Sequence, residues 1–253
     1  MLVRVLTGFF IVTATFFWGP CRATAETELL VSAASSLTDS FKEIGKAYET
    51  KNSGVTIRFN FAATGPLLQQ IEQGAPVDVF ASADQQSMDK AEKGKFILPG
   101  SRTDFTGNSL ALITPLNMTT VKGLADLQSA QVLKVSMGNP ESVPVGRYAK
   151  AALEKQGVWE AVAPKCVMGS SVKQALEYVM RGEVEAGFVF ATDAVAVKDK
   201  VKVVTEIDTV KPIVYPVAVV AASAKQEQAQ AFIRYLKGVE GQAVLIKYGF
   251  KKI

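Results

Sequence analysis

Leu29-Leu30-Val31-Ser32-Ala33-Ala34-Ser35-Ser36-Leu37-Thr38-Asp39 passes from an apolar, strand-like stretch through a short uncharged hydroxyl turn into a helix-patterned stretch. The chain then does the same again. Val55-Thr56-Ile57-Arg58-Phe59-Asn60-Phe61 leads into the turn Ala62-Ala63-Thr64-Gly65-Pro66. Beyond the first turn Phe41, Ile44 and Tyr48 fall at i, i+3 and i+7, and beyond the second Leu67, Leu68 and Ile71 mark another helical face. Strand, tight turn and helix in succession predict an α/β fold with a largely parallel sheet in each unit. The hydroxyls in these turns can cap their helices, or they can join free backbone N–H groups in holding an anion. Neither turn contains a basic residue, so an anion there is held by dipoles.

The alternation continues outward. Residues 77–81 read as a strand, and Ser82-Ala83-Asp84-Gln85 has the spacing of a capping box opening a helix through Met88 and Ala91. Residues 107–114 read as one buried strand, and residues 133–137 as another. Pro144 suits the first position of a helix carrying Tyr148, Ala152 and Leu153. Ser171-Val172-Lys173-Gln174 repeats the capping-box spacing before Val172, Ala175, Leu176, Val179 and Met180, an apolar stripe of helical period. Residues 187–190 form a strand running into Ala191-Thr192-Asp193-Ala194. An apolar strand over 214–222 and a helix through Phe232, Tyr235 and Leu236 follow. There is no low-complexity linker, so two lobes would be joined by strands that cross between them. Five helix starts stand out: Ser36, Thr64, Ser82, the Pro144-Val145 turn and Ser171-Val172. In parallel α/β sheets such turns gather at the carboxyl edge, where ligands bind.

The chain has 253 residues and no histidine, which excludes histidine-based triads and histidine-ligated metals. Residues 1–25 have the order of a secretory signal peptide: Arg4, an apolar run over 6–18, and the small-residue cleavage site Ala23-Thr24-Ala25. Cleavage there removes Arg4 and Arg22, lowering the formal charge from +4 to +2. That balance, with no basic run, gives no case for nucleic acid. Cys21 leaves with the signal, so Cys166 is alone and no intramolecular disulfide forms. A mature chain of this length buries a large core, as one domain or as two lobes of about 100 residues each.

Several segments resemble the periplasmic molybdate-binding proteins of ABC transporters. They are residues 33–38, the stretch Gln70-Ile71-Glu72-Gln73-Gly74-Ala75-Pro76-Val77-Asp78-Val79-Phe80-Ala81-Ser82-Ala83-Asp84, Gly107-Asn108-Ser109-Leu110, Pro144-Val145-Gly146-Arg147-Tyr148-Ala149-Lys150, Tyr215-Pro216-Val217-Ala218-Val219-Val220 and Tyr248-Gly249-Phe250. The resemblance implies a type II, two-lobed periplasmic binding protein fold with the ligand in the cleft. Lobe one would comprise 26–105 and 213–253, and lobe two 106–212. It implies a periplasmic monomer that captures molybdate or tungstate through the oxyanion's own oxygens, delivers it to a membrane permease, and needs no cofactor or metal cation. Carried over by position, Ser36 is the first hydroxyl ligand, Thr64 stands where a second serine is usual, Val145 and Val172 donate backbone N–H, and Ser35 adds a contact. Phe190 departs from the pattern, because the family places a tyrosine there. Either the site has one donor fewer, or Ser35, Thr64 or Thr192 compensates.

A fully deprotonated tetrahedral dianion only accepts hydrogen bonds, so a pocket of donors without carboxylates suits it. Two rivals stand beside this expectation. One is a binding protein of the same fold for another anion, such as sulfate or a small carboxylate. The other is an enzyme built around Cys166.

Overall fold

The computed structural model describes residues 27–253. The expected signal peptide over 1–25, Cys21 included, lies outside the described residues. The elements in chain order are β1 (Thr27–Ala34), α1 (Thr38–Lys51), β2 (Val55–Ala62), α2 (Thr64–Glu72), β3 (Val79–Ala81), α3 (Gln85–Lys93), β4 (Thr103–Asn108) and β5 (Leu110–Pro115). Then come β6 (Val135–Gly138), α4 (Pro144–Lys155), α5 (Trp159–Val162), β7 (Cys166–Gly169), α6 (Val172–Met180), β8 (Ala186–Phe190), α7 (Ala191–Val195), β9 (Val201–Ile207), β10 (Ile213–Val219), α8 (Gln226–Lys237) and α9 (Val239–Lys247).

The strands form two five-stranded sheets, β2-β1-β3-β10-β4 and β7-β6-β8-β5-β9. In the first, β2, β1 and β3 run parallel, while β10 is antiparallel to both of its neighbours. In the second, β7, β6 and β8 are parallel, while β5 is antiparallel to β8 and β9. Both sheets are therefore mixed, where the sequence suggested largely parallel ones. The antiparallel strands β10 and β5 each begin just after the chain has crossed from the other sheet.

Residues 107–114 are likewise two strands and not one. The Asn108 side chain accepts the Ser109 N–H at 2.8 Å, which satisfies that amide locally and ends the first ladder. On the far side, Leu110 already pairs with Phe190 and Ile207. The second crossing lies between Ile207 and Ile213. An expected lobe boundary at 105 falls inside β4, which stays in the first sheet through Asn108.

Helical spacing settles which faces are buried. Phe41, Ile44 and Tyr48 of α1 turn inward, as do Val172, Ala175, Leu176 and Val179 of α6. Phe41 meets Phe105 and Phe232 at ring separations of 5.8 and 6.5 Å, and Tyr48 meets Phe232 edge-on at 5.3 Å. Such aromatic pairs, in tilted or edge-on geometry, tie α1, β4 and α8 into one core. No helix of the described residues is long and apolar enough to cross a membrane.

Candidate functional site

The carboxyl ends of the parallel strands in the two sheets face a common small cavity. All six residues expected from the sequence line it: Ser35, Ser36, Thr64, Val145, Val172 and Phe190. Ala34, Ala63, Ala83, Val143 and Pro144 complete the wall, which contains neither a carboxylate nor a cationic side chain. The cavity is small and partly open, with about 180 Å³ of empty space that runs into the adjoining solvent. It is far smaller than the pockets of roughly 300–1,000 Å³ that take organic ligands.

Four helical segments begin at this wall. Val172 is the first residue of α6, Thr64 the first of α2, Val145 the second of α4 behind Pro144, and Ser36 the middle of a 3₁₀ turn over Ser35–Leu37 that runs into α1. The N–H groups of a first helical turn have no partner within the helix and carry the positive end of its dipole. Ser171 caps α6 by accepting the Gln174 N–H at 3.2 Å, which leaves the Val172 amide for the cavity. Neither Ser36 nor Thr64 caps its own helix. Thr64 Oγ1 accepts the Ala83 N–H at 3.2 Å instead. Of the five helix starts singled out in the sequence, Ser82 is displaced as a cap. Its hydroxyl donates to the Asp84 carbonyl at 2.7 Å, and the Asp84 carboxylate caps α3 by accepting the Ser87 N–H at 3.0 Å. A carboxylate at a helix start gains from the dipole as well as from the hydrogen bond.

Just outside the cavity the two lobes are joined by charges. Arg147 of α4 donates through Nε to Asp84 Oδ2 at 2.7 Å and through an Nη to Ser87 Oγ at 3.0 Å. Both partners are largely buried, with side-chain exposures of 16% and 6% for Arg147 and Asp84. On the other flank Lys173 lies 3.6 Å from Asp39 of α1 and 3.0 Å from the fully buried Asp193. Burial raises the Asp193 carboxyl above its ordinary range, with Lys173 opposing that rise. Between these flanks the Gly65 N–H donates to the Ser142 carbonyl at 3.0 Å. A Cβ on Gly65 would stand 2.5 Å from that oxygen, so only glycine lets the lobes approach this closely.

Behind the cavity lies a network that the sequence reading missed. The Tyr215 hydroxyl is 3.0 Å from Ser36 Oγ and accepts from Asn108 Nδ2 at 3.2 Å. Asn108 Nδ2 also donates to Thr192 Oγ1 at 3.0 Å. Thr192 is thus engaged one layer back and does not line the cavity, which removes it as the group compensating for Phe190. The Phe190 ring is buried edge-on against Tyr215 at 5.6 Å and Tyr148 at 6.3 Å. Cys166 lies away from this wall on β7. Its Sγ donates to the Val162 carbonyl at 3.3 Å, and burial pushes the thiol up to about 11. At neutral pH it is a thiol and a poor nucleophile.

This architecture has known counterparts. Residues 29–251 match the family model described as bacterial extracellular solute-binding protein. A putative ABC transporter substrate-binding lipoprotein of Bacillus subtilis is 39% identical, over 88% of this chain and 85% of that one. The molybdate-binding protein ModA of Escherichia coli is 38% identical, over 89% of each chain. Among solved structures, the substrate binding domain of a putative molybdenum ABC transporter from Clostridium difficile superposes with a TM-score of 0.69 at 37% identity, covering 90% of this chain and 99% of that one. With two mixed sheets, a cleft between them and a family match over nearly the whole described length, the chain belongs to the bacterial extracellular solute-binding proteins.

Proposed function

We propose that this protein captures molybdate in the cavity between its lobes and delivers it to the membrane permease of an ABC transporter. The observation that carries this reading is the neutral, donor-lined cavity, which is too small for an organic ligand. A tetrahedral dianion without protons can accept from Ser36, Thr64, Ser35 and the amides of Val145 and Val172, and it meets no lone pair that would repel it. Phe190 bounds the ion on one side without contributing a bond. Helix N-termini add favourable potential with no formal charge to be desolvated. The relatives named for molybdate and molybdenum transport support the same assignment.

Tungstate is nearly the same size and carries the same charge, so it binds alongside molybdate. Sulfate is smaller and forms fewer simultaneous bonds to a rigid wall. Hydrogen phosphate carries a proton for which the wall has no carboxylate acceptor. The mature protein works as a periplasmic monomer, released by cleavage after Ala25, and its role is binding and delivery without catalysis. Closure around the ion presents a joint surface of both lobes to the permease.

The test is a thermal melt of the mature protein with each anion, because a ligand that binds only the folded state raises the melting temperature with concentration. Molybdate and tungstate are expected to raise it strongly, and sulfate and phosphate at equal concentration to do much less. Equal shifts with sulfate, or a shift with a small carboxylate alone, would assign the cavity to a different anion.

A further inference from the structure

Resting on the reading of the cavity as an oxyanion site, we propose that Tyr215 and Asn108 fix the direction of the Ser36 hydroxyl, making Ser36 an obligate donor that selects fully deprotonated anions.

Donors and acceptors along the network leave one favourable arrangement of protons. Asn108 Oδ1 accepts the Ser109 N–H at 2.8 Å, which settles the orientation of its amide. The two protons of Nδ2 then go to Thr192 Oγ1 and to the Tyr215 hydroxyl. Tyr215 is completely buried, and among the described residues its oxygen has Asn108 Nδ2 and Ser36 Oγ within hydrogen-bond distance. If Ser36 donated to Tyr215, two donors would converge on one phenol oxygen, and the phenol proton would be buried with no acceptor. A buried donor left unmade is the costlier arrangement. The Tyr215 proton therefore goes to Ser36 Oγ at 3.0 Å, and the Ser36 proton is left for the cavity that Ser36 lines. Burial also lifts the Tyr215 hydroxyl well above its ordinary range, which keeps the proton in place for this role.

Thr64 shows the same device in simpler form. The Ala83 N–H occupies a lone pair of Thr64 Oγ1 from the protein side, leaving that hydroxyl's proton free. Of the three hydroxyls in the wall, those of Ser36 and Thr64 are thus held from behind. An ion that carries a proton on one oxygen needs an acceptor in the wall, and a Ser36 freed to rotate would be one. Tyr215 prevents that rotation while touching no ligand. It is a positioning residue, 179 positions from Ser36 in sequence and on the strand that returns from the second sheet.

The test is a double-mutant cycle on molybdate affinity by calorimetry, with Tyr215→Phe, Ser36→Ala and both together. Tyr215→Phe keeps the buried ring and removes only the hydroxyl. It is expected to weaken binding about tenfold in the wild-type background and less than about twofold once Ser36 is alanine. In a Thr64→Ala background its full effect should persist. A role in packing alone would give the same loss in every background, and that additive result would overturn the proposal. A second readout uses selenate and hydrogen arsenate, dianions of similar size of which one carries a proton. In mildly alkaline buffer the wild type should prefer selenate, and Tyr215→Phe should narrow that preference severalfold. An unchanged ratio would also overturn the proposal. A wild-type protein that binds none of these oxyanions would instead overturn the reading of the cavity, and this assignment with it.

Discussion

Inside the cavity, Ser36, Thr64, Val145 and Val172 present hydroxyls and amides without a single formal charge. Within three residues of Ser36, Ala83, Val145 and Val172 in that wall sit Asp39, Asp84, Arg147 and Lys173, which pair across the gap between the lobes. Dipoles thus face the cavity, and charges hold the lobes together. The division has a physical reason. A cation in the wall would bind any anion with little regard to shape, since a point charge is undemanding in geometry. Fixed amides and hydroxyls reward only an ion whose oxygens fall where the donors point. At the rim the requirement is different. Closure must be reversible, and a pair such as Arg147 and Asp84 is favourable when dry and easily replaced by water when the lobes part.

Placing a charge inside would break this division most severely. Ser36→Asp sets a carboxylate against the incoming dianion, and we expect molybdate affinity to fall by about a thousandfold or more. Calorimetry measures the loss, and a modest change would mean that the ion does not contact this wall. Removing a charge from the rim should act more gently and through a different rate. Arg147→Ala leaves Asp84 without its cation only in the closed form, so dissociation should quicken about tenfold while association changes little. Stopped-flow measurement separates the two, and a loss confined to association would assign Arg147 to steering.

Phe190→Tyr adds a donor to the neutral wall. A well-made bond to a charged acceptor is worth about 1.5–3 kcal/mol, but the ring is already packed against Tyr215 and Tyr148. A gain of about three- to tenfold in affinity is expected, and a weakening would show that the hydroxyl has no room. Cys166→Ala should leave affinity within about twofold, because the thiol lies outside both regions. Since burial raises its pKa to about 11, the folded state retains the proton longer than the unfolded chain. Stability from this source is full below the unfolded thiol range near 9 and is lost as pH rises toward 11. Alkylation of the native protein should accordingly stay slow until that range, and rapid labelling at neutral pH would contradict the assignment.

The parts legible in the sequence are those decided by neighbours along the chain. Phe41, Ile44 and Tyr48 announce a buried helical face because one turn of helix brings them together. The hydroxyl turns were readable because each lies between its own strand and helix. The switch of sheets at Ser109 was not readable, because the apolar pattern runs on unbroken from residue 110 and only the Asn108 side chain ends the ladder. β9 also escaped notice, as its Lys202, Thr205 and Glu206 give an edge strand no continuous apolar signal. Tyr215 and Arg147 were hidden for another reason. Their partners lie 179 and 63 residues away, so a tyrosine in an apolar strand looks like core and an arginine on a helix looks like solvated surface.

The most direct test of the account is where the ion sits. A crystal of the mature protein grown with molybdate, measured at a wavelength where molybdenum scatters anomalously, reports that position without assumption. The account predicts a single strong peak in the cavity, with oxygens in hydrogen-bond reach of Ser36 Oγ, Thr64 Oγ1 and the amides of Val145 and Val172. A peak beside Arg147, Lys173 or another cationic side chain, with this cavity empty, would contradict it.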